Sequence, residues 1–305
     1  MKNLKLFTLL TSVGIIVAGC SQPTEYKLKE ADDTTIAHIH GIGYPNKKEE
    51  LYIATHDGLM KYKDHTWYEA NSQKHDYMGF QPYKEGFYSS GHPENGSDLD
   101  NPLGLVKSTD GGKSLDKLAF YGETDFHYLG AGYQSKVIYA INQKPNSKLD
   151  TGLYRTLDEG KSFEKSNMKG FNSTSIGNIA VHPTNKNMLA ISSKDGVFLS
   201  QDSGDSFEKV ENTRITTSIY LKEKKGLFAS IEGERIQLYE LNLDSNQIQS
   251  YPTPALSQDN PIMYITSTPT QSDEWTIVTY ENDIYKTTDN GESWDEMVDN
   301  GQITK

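Results

Sequence analysis

Apolar residues along this chain fall in short runs that are rich in β-branched and aromatic side chains. Turn-forming residues such as Pro, Gly, Asn and Asp separate these runs. The clearest runs are Leu51–Thr55, Val137–Ile141, Leu189–Ser192 and Trp275–Tyr280. No segment after residue 35 keeps the three-and-four spacing of apolar positions that an amphipathic helix requires. The pattern therefore predicts an all-β fold built from many short strands.

A segment of the form Ser/Thr-x-Asp-x-Gly-x-Ser occurs four times, and a bulky apolar residue follows each copy. Consecutive aspartates are 48, 44 and 87 residues apart, so the last spacing is close to twice the others. In a tight turn the carboxylate can accept backbone N–H bonds, and the glycine supplies a left-handed position. With the apolar residue included, the copies are Ser108–Leu115, Thr156–Phe163, Ser200–Phe207 and Thr287–Trp294.

These segments resemble the Asp-box, or BNR repeat, of sialidases, sortilin-like receptors and related β-propellers. The resemblance implies a hairpin turn between the third and fourth strands of a blade, with the last residue packed between blades. It gives the box aspartates Asp110, Asp158, Asp202 and Asp289 a structural role. We expect a β-propeller of six blades, with seven or eight as the alternatives. A strand from residues 24–30 could complete the last blade. The predicted blades are 35–72, 75–118, 124–167, 174–211, 214–254 and 260–298.

The N-terminal segment has the pattern of an export signal. Lys2 and Lys5 precede an apolar stretch, Phe7 to Val17, that is too short to span a bilayer. The sequence Val-Ala-Gly-Cys that ends at Cys20 resembles a bacterial lipobox, and the alternative is a secretory signal with an incidental cysteine. We expect a signal peptide over residues 1–19, a flexible tether with lipidated Cys20 over 20–34, and one propeller over 35–305. The protein would then be lipid-anchored on the extracytoplasmic face of the cell membrane.

Composition narrows the function further. The 305 residues carry a formal net charge of −12, which argues against sequence-independent nucleic-acid binding and favours cations near the surface. The chain has a single Cys, so an internal disulfide framework or a CxxC metal site is ruled out.

Alignment of the first three predicted blades brings polar residues into register. Residues two apart on a strand share a face, and the start of a first strand meets the end of the antiparallel second strand at one rim. Five histidines therefore converge on one mouth of the central channel, opposite the box turns. The aligned sets are His38 with Asp76 and Asp125, His40 with Met78 and His127, and His56 with His92.

Such a cluster predicts a transition-metal site. Imidazole is the commonest protein ligand for zinc, copper and nickel, and the thioether of Met78 favours copper, with zinc next. The predicted metal ligands are His38, His40, His56, His92, His127 and Met78, and no organic cofactor is expected. Two alternatives stay open: a site for an organic ligand, and histidines that serve only as hydrogen-bonded spacers. His65, His75 and His182 fall outside the register, and His182 precedes a proline in a predicted turn.

An enzyme is the second hypothesis. Residues 35–298 resemble bacterial lipoprotein propellers that are often called glycosyl-hydrolase-like, in the segments His38–Gly41, Thr55–Leu59, Met78–Phe80, Ser90–Pro93 and Asp125–His127. Sialidases hold a substrate carboxylate with three arginines, but the only arginines here are Arg155, Arg214 and Arg235, and their positions argue against a triad in the channel. Asp76 and Asp125 are the candidates for a glycosidase carboxylate pair. We expect binding rather than catalysis, and a glycoside hydrolase acting on extracellular glycans if the protein is an enzyme.

A protein-binding assembly factor is the third hypothesis. Sortilin-like and photosystem-assembly propellers resemble this chain at the same boxes and bind polypeptides. Aromatic residues near the mouth could form such a surface, namely Tyr77, Tyr83, Tyr128 and Tyr133.

Overall fold

A computed structural model of the chain describes residues 25–31, 34–271 and 273–304. The predicted signal peptide and Cys20 lie outside these residues, as does the first part of the tether. Within the described part, the regular secondary structure consists of β-strands and a single 3₁₀ turn at Pro45–Lys47, and turns and loops connect them. No helix in these ranges is long and apolar enough to cross a membrane.

The strands form six antiparallel sheets of four or five strands, which are the six blades of a β-propeller. The prediction of an all-β, six-bladed fold is confirmed. Blade one holds β1 (Leu28–Glu30), β2 (Ile39–Gly43), β3 (Leu51–Thr55), β4 (Gly58–Lys63) and β5 (Thr66–Ala70); blade two β6 (Asp76–Tyr83), β7 (Gly86–His92), β8 (Leu105–Ser108) and β9 (Asp116–Ala119); blade three β10 (Leu129–Ala131), β11 (Ile138–Asn142), β12 (Gly152–Thr156) and β13 (Glu164–Lys165). Blade four holds β14 (Ile179–Val181), β15 (Leu189–Ser193), β16 (Gly196–Ser200) and β17 (Glu208–Lys209); blade five β18 (Thr216–Leu221), β19 (Lys225–Glu232), β20 (Arg235–Asn242) and β21 (Ile248–Tyr251); blade six β22 (Ile262–Ser267), β23 (Trp275–Thr279), β24 (Ile284–Thr287), β25 (Asp295–Asp299) and β26 (Gln302–Ile303).

The hydrophobic core lies between the blades. Each of six clusters of buried side chains joins one blade to the next, and the cluster between blades six and one closes the ring. In that closing cluster Ile53 of blade one and Val278 of blade six are both completely buried. The hydroxyls of Tyr44 and Thr276, 2.8 Å apart and buried, add a hydrogen bond across the same seam.

The N-terminal strand differs from its expected place. β1 pairs with β5 on the outer edge of blade one, with Leu28 opposite Ala70, and does not complete the last blade. The outer edge of blade six is covered instead by β26, since Ile303 pairs with Val298. Ring closure therefore uses no shared strand; it depends on side-chain packing and on hydrogen bonds such as that from the N–H of Ile36 to the carbonyl of Gly301, at 2.8 Å. Both added strands cover sheet edges that would otherwise be open.

The four repeated Ser/Thr-x-Asp-x-Gly-x-Ser segments form turns between the third and fourth strands. In blade three, Asp158 Oδ1 accepts the backbone N–H of Ser162, and Oδ2 accepts its hydroxyl at 2.6 Å. The Thr156 hydroxyl donates to the same carboxylate and accepts the N–H of Gly160. The bond from the Ser162 hydroxyl and the neighbouring bonds lower the pKa of Asp158 to about 2.

Each of these turns also touches the preceding blade through its glycine. A Cβ on Gly204 of blade four would lie 2.9 Å from Leu153 Cδ2 of blade three, and Gly112 of blade two approaches Leu59 of blade one in the same way. Both glycines have φ near +90°, at +84° and +91°. Glycine is therefore required at this position by backbone conformation and by close packing between blades.

Blades one and five turn differently at the corresponding place. Asp64 and His65, both with positive φ, form a two-residue hairpin loop between β4 and β5. In blade five the Asn242 side chain accepts the N–H groups of Asp244 and Ser245.

Candidate metal centre

The predicted site residues lie at one rim of the channel, where first strands begin and second strands end. Asp76 is the first residue of β6 and pairs in register with His92, the last residue of β7. In blade one the N–H of His56 donates to the carbonyl of His38. His38 and His56 therefore face each other in blade one as Asp76 and His92 do in blade two. The alignment of these two blades is therefore confirmed at the level of the backbone.

Blade three departs from the alignment. Asp125 and His127 precede β10, which begins at Leu129, so they do not lie on a strand. The segment is held by Phe126, which is 1% exposed and whose N–H donates to Ser90 Oγ of blade two at 2.8 Å. Both polar side chains still reach the rim because this buried anchor fixes the backbone between them.

Three residues from blades one and two form what we term the first triad: His40, His56 and Asp76. One potential ligand atom from each lies within 4.8 Å of the other two. His56 Nδ1 is 3.0 Å from Asp76 Oδ2, and His40 Nε2 is 3.3 Å from Asp76 Oδ1. The Asp76 side chain is 12% exposed and His40 is 23% exposed, whereas His56 is 59% exposed.

Two polar atoms of the first triad are buried without a hydrogen-bond partner among the described residues. They are His40 Nε2 and Asp76 Oδ1, which face each other. Burial lowers the pKa of His40, and the charges of His56, His38 and His127 act in the same direction, while Asp76 opposes them. His40 therefore favours its neutral form, which is the form of imidazole that binds metals.

The second triad consists of His92, Asp125 and His127, from blades two and three. Asp125 Oδ2 is 2.5 Å from His127 Nε2 and 3.3 Å from His92 Nε2. His92 Nδ1 lies 2.6 Å from Asn101 Oδ1. Asn101 was not predicted, because it lies in the long loop after β7, where no strand register or repeat marks it.

His38 and Met78 lie beside the triads. His38 is exposed, has φ of +50°, and its ring centroid is 6.0 Å from that of His56. Met78 lines the channel together with His40 and His127. The structure thus arranges four of the five histidines in two carboxylate-centred groups, and His38 lies outside them.

The channel below the rim holds a cavity of about 250 Å³. Within the described ranges, no Asp, Glu, Lys or Arg lines it; Tyr128 and Tyr133 do. Tyr77 and Tyr83 were expected as exposed aromatics, but they are 0% and 1% exposed, because they pack between blades.

Arg155 and the remaining histidines lie outside the two triads. Arg155 contacts Glu164 and Asn187 away from the channel. His182 Nε2 donates to the Glu223 carbonyl at 2.9 Å, and its Nδ1 accepts the N–H of Asn185, which fits the predicted turn. His75 is buried; its Nδ1 accepts the N–H of Glu94, and its Nε2 donates to Gln73 Oε1 at 2.9 Å. His65 lies exposed in the hairpin between β4 and β5.

Comparison with known proteins identifies the architecture alone. No protein-family model matches the chain, and no curated protein matches it. Solved structures do match: the GH74 xyloglucanase of Xanthomonas campestris (11% identity, TM-score 0.54, covering 90% of this chain and 47% of that one) and the GH74 enzyme of Niastella koreensis (13%, 0.57, 88% and 46%). YCF48 bound to D1 peptide matches at 13% identity and a TM-score of 0.51, covering 92% of this chain and 87% of that one. This chain spans about half the length of the GH74 enzymes, and at these identities the likeness shows a shared β-propeller fold.

Proposed function

We propose that this protein binds a divalent transition-metal ion at the first triad. The observation that carries the proposal is the pair His40 Nε2 and Asp76 Oδ1, which are buried, 3.3 Å apart and without hydrogen-bond partners in the described chain. An unpaired buried carboxylate oxygen is costly, and His40 Nε2 makes no hydrogen bond to Asp76 Oδ1 in the arrangement that the structure shows. A cation that accepts both lone pairs satisfies the two atoms together.

The ligand chemistry indicates which ions fit. Two imidazoles and one carboxylate suit zinc and copper(II), with water in the remaining positions. Copper is favoured because Met78 brings a thioether to the same channel mouth, beside His40 and His127. The net charge of −12 favours the approach of cations. Sequestration, delivery or sensing of the metal are the roles that such a binding site serves.

We also propose that the protein acts at the cell surface as a lipid-anchored Asp-box propeller. The lipobox-like residues ending at Cys20 support the anchor, and the hydrogen bonds of the turn at Asp158 support the Asp-box assignment. The N-terminal strand β1 on blade one would then connect the anchor directly to the blade that supplies His40 and His56.

A glycoside hydrolase has less support. The GH74 enzymes share the fold, but this chain's cavity lining contains no carboxylate among the described residues. Asp76 and Asp125 each contact imidazoles instead of standing free on either side of a substrate groove. A protein-binding role is suggested by the D1 peptide complex of YCF48, which has a similar fold.

The proposal is tested by metal analysis of the propeller purified without a His tag. Elemental analysis and titration calorimetry with Zn²⁺ and Cu²⁺ should show tight binding that His40→Asn and His56→Asn each weaken by at least about tenfold. His65→Asn is the matched control, because His65 is exposed in blade one, in the hairpin at the other end of the sheet. Binding that His65→Asn weakens equally, or that His40→Asn leaves intact, would refute the site. Hydrolysis of aryl glycosides that is lost in Asp76→Asn would favour the enzyme instead.

A further inference from the structure

The rim repeats one interaction at two successive seams between blades. His56 follows the second strand of blade one and contacts Asp76 at the start of blade two, at 3.0 Å. His92 ends the second strand of blade two and contacts Asp125 just before blade three, at 3.3 Å. The same blade geometry thus produces a histidine–aspartate pair twice, and a further imidazole joins each pair: His40 in the first triad and His127 in the second.

The hydrogen bond to Asn101 fixes the proton on His92. With the amide oxygen of Asn101 as acceptor, His92 Nδ1 at 2.6 Å carries the hydrogen, which leaves a lone pair on Nε2 when the ring is neutral. In that neutral form the lone pair faces Asp125 Oδ2 at 3.3 Å, so two acceptors point at each other. A carbonyl oxygen on the far nitrogen is also the usual support of a metal-binding histidine.

Asp125 provides a further unpaired atom. Its Oδ2 accepts the N–H of His127 at 2.5 Å, while Oδ1 is buried and has no hydrogen-bond partner in the described part of the chain. The Asp125 side chain is only 14% exposed, although His92 and His127 are 44% and 48% exposed. The carboxylate is therefore held inside the rim, and the two imidazoles cover it from the solvent side.

We propose that the second triad is a second divalent-metal site, which takes zinc or copper(II) on His92, Asp125 and His127. This inference rests on the proposed function, because it extends the same chemistry to the next seam. His127 binds the ion through Nε2 in the tautomer that carries its hydrogen on Nδ1: the proton on Nε2 passes to water, and Nδ1 takes up another from water, so the ring stays neutral. The ion also joins His92 Nε2 to Asp125 Oδ2. Water completes the coordination, since both imidazoles border solvent, and solvent competition makes this site weaker than the first. The chain then binds two ions at neighbouring seams.

Stoichiometry tests the inference. The untagged propeller is titrated with Zn²⁺ by calorimetry, and bound zinc is counted by elemental analysis after gel filtration. We expect two ions for the unmodified chain and for His65→Asn, one tightly bound ion for His92→Asn, and one weakly bound ion for His56→Asn. Thermal melting of the metal-free variants checks that each is folded, and the visible spectrum of bound Co²⁺ reports the loss of a nitrogen ligand independently of affinity.

The outcomes separate the two claims. One ion that His56→Asn removes and His92→Asn leaves intact overturns the second site and keeps the first. One ion that both substitutions remove means a single shared site and also overturns the inference. An ion that His92→Asn removes and His56→Asn leaves intact supports the second triad and overturns the first. Absence of any bound ion overturns both.

Discussion

Asp76, the first residue of blade two, accepts a hydrogen bond from the imidazole of His56 in blade one, with Nδ1 3.0 Å from Oδ2. The bond joins two blades at the rim of the channel, so packing of blade two against blade one also assembles the site. It leaves the second oxygen of Asp76 facing His40, which also belongs to blade one. The first triad therefore exists only when blades one and two are packed together.

Asp76→Asn should weaken metal binding while the propeller stays folded. The amide keeps the volume of the carboxylate but loses its charge, so Zn²⁺ or Cu²⁺ affinity should fall about 10- to 100-fold. Asp57→Asn is the control, because Asp57 is an exposed acid immediately after His56 and changes the local charge equally. Calorimetric titration compares the two variants. An equal loss in both would mean that general attraction of cations, rather than coordination, accounts for the binding.

Met78→Leu should distinguish copper from zinc. Met78 lines the channel beside His40 and His127, and leucine keeps a similar apolar volume. A thioether binds Cu(I) well and zinc poorly, so Cu(I) affinity should fall while Zn²⁺ affinity stays the same. Competition with a chromophoric Cu(I) chelator measures the first, and calorimetry the second. Met188→Leu, outside the channel lining, is the control. Unchanged Cu(I) binding in Met78→Leu would remove the argument for copper.

The resemblance to the Asp-box predicted the propeller, and the repeat period and the strand runs predicted six blades, because each blade is a local unit whose turns carry their own hydrogen-bonding residues. The rim register of blades one and two was predictable for the same reason: Asp76 and His92 belong to neighbouring strands with a short hairpin between them. The side-chain pairing was not predictable. His56 contacts Asp76 of the next blade. Which residue it contacts depends on the angle between the two blades, and the residue pattern of one blade does not predict that angle.

Two further features had no sequence signal. Asn101 reaches His92 from a loop without repeat or periodicity. β1 pairs with blade one because its edge is open and the C-terminal β26 already covers blade six. A polar, charged strand such as Leu28–Glu30 shows no apolar alternation, since it lies on an outer edge with two of its three residues exposed.

Acid should unfold the propeller partly through its turns. Hydrogen bonds from Ser162 to Asp158, and from Ser293 to Asp289, lower both pKa values to about 2 from the usual value of 3.8. A carboxylate with a lowered folded-state pKa stabilises the protein fully above the unfolded pKa, and this contribution is lost as the pH falls through the folded one. Stability should therefore decline between about pH 4 and about pH 2.

The double variant Asp158→Asn/Asp289→Asn isolates this effect. Asparagine has an NH2 group in place of one carboxylate oxygen, so it loses the acceptor of either the hydroxyl or the backbone N–H, and the variant should be less stable at pH 7. Its loss of stability at low pH should be shallower, because two of the titrating groups are gone. Urea unfolding across the pH series measures both quantities. Parallel curves for the two proteins would show that these turns do not govern the acid response.

Gly204→Ala should destabilise the seam between blades three and four. Its Cβ would lie 2.9 Å from Leu153 Cδ2, and Leu153 is completely buried, so that side chain has no free space into which to move. Gly96→Ala is a matched control, because Gly96 has the same φ of +84° and no atom within 4 Å of the added Cβ. The left-handed backbone should cost each variant about 1–2 kcal/mol. Packing should add about 1–3 kcal/mol for Gly204→Ala only. Urea unfolding of both variants gives the difference, and equal losses would show that backbone conformation alone selects glycine in these turns.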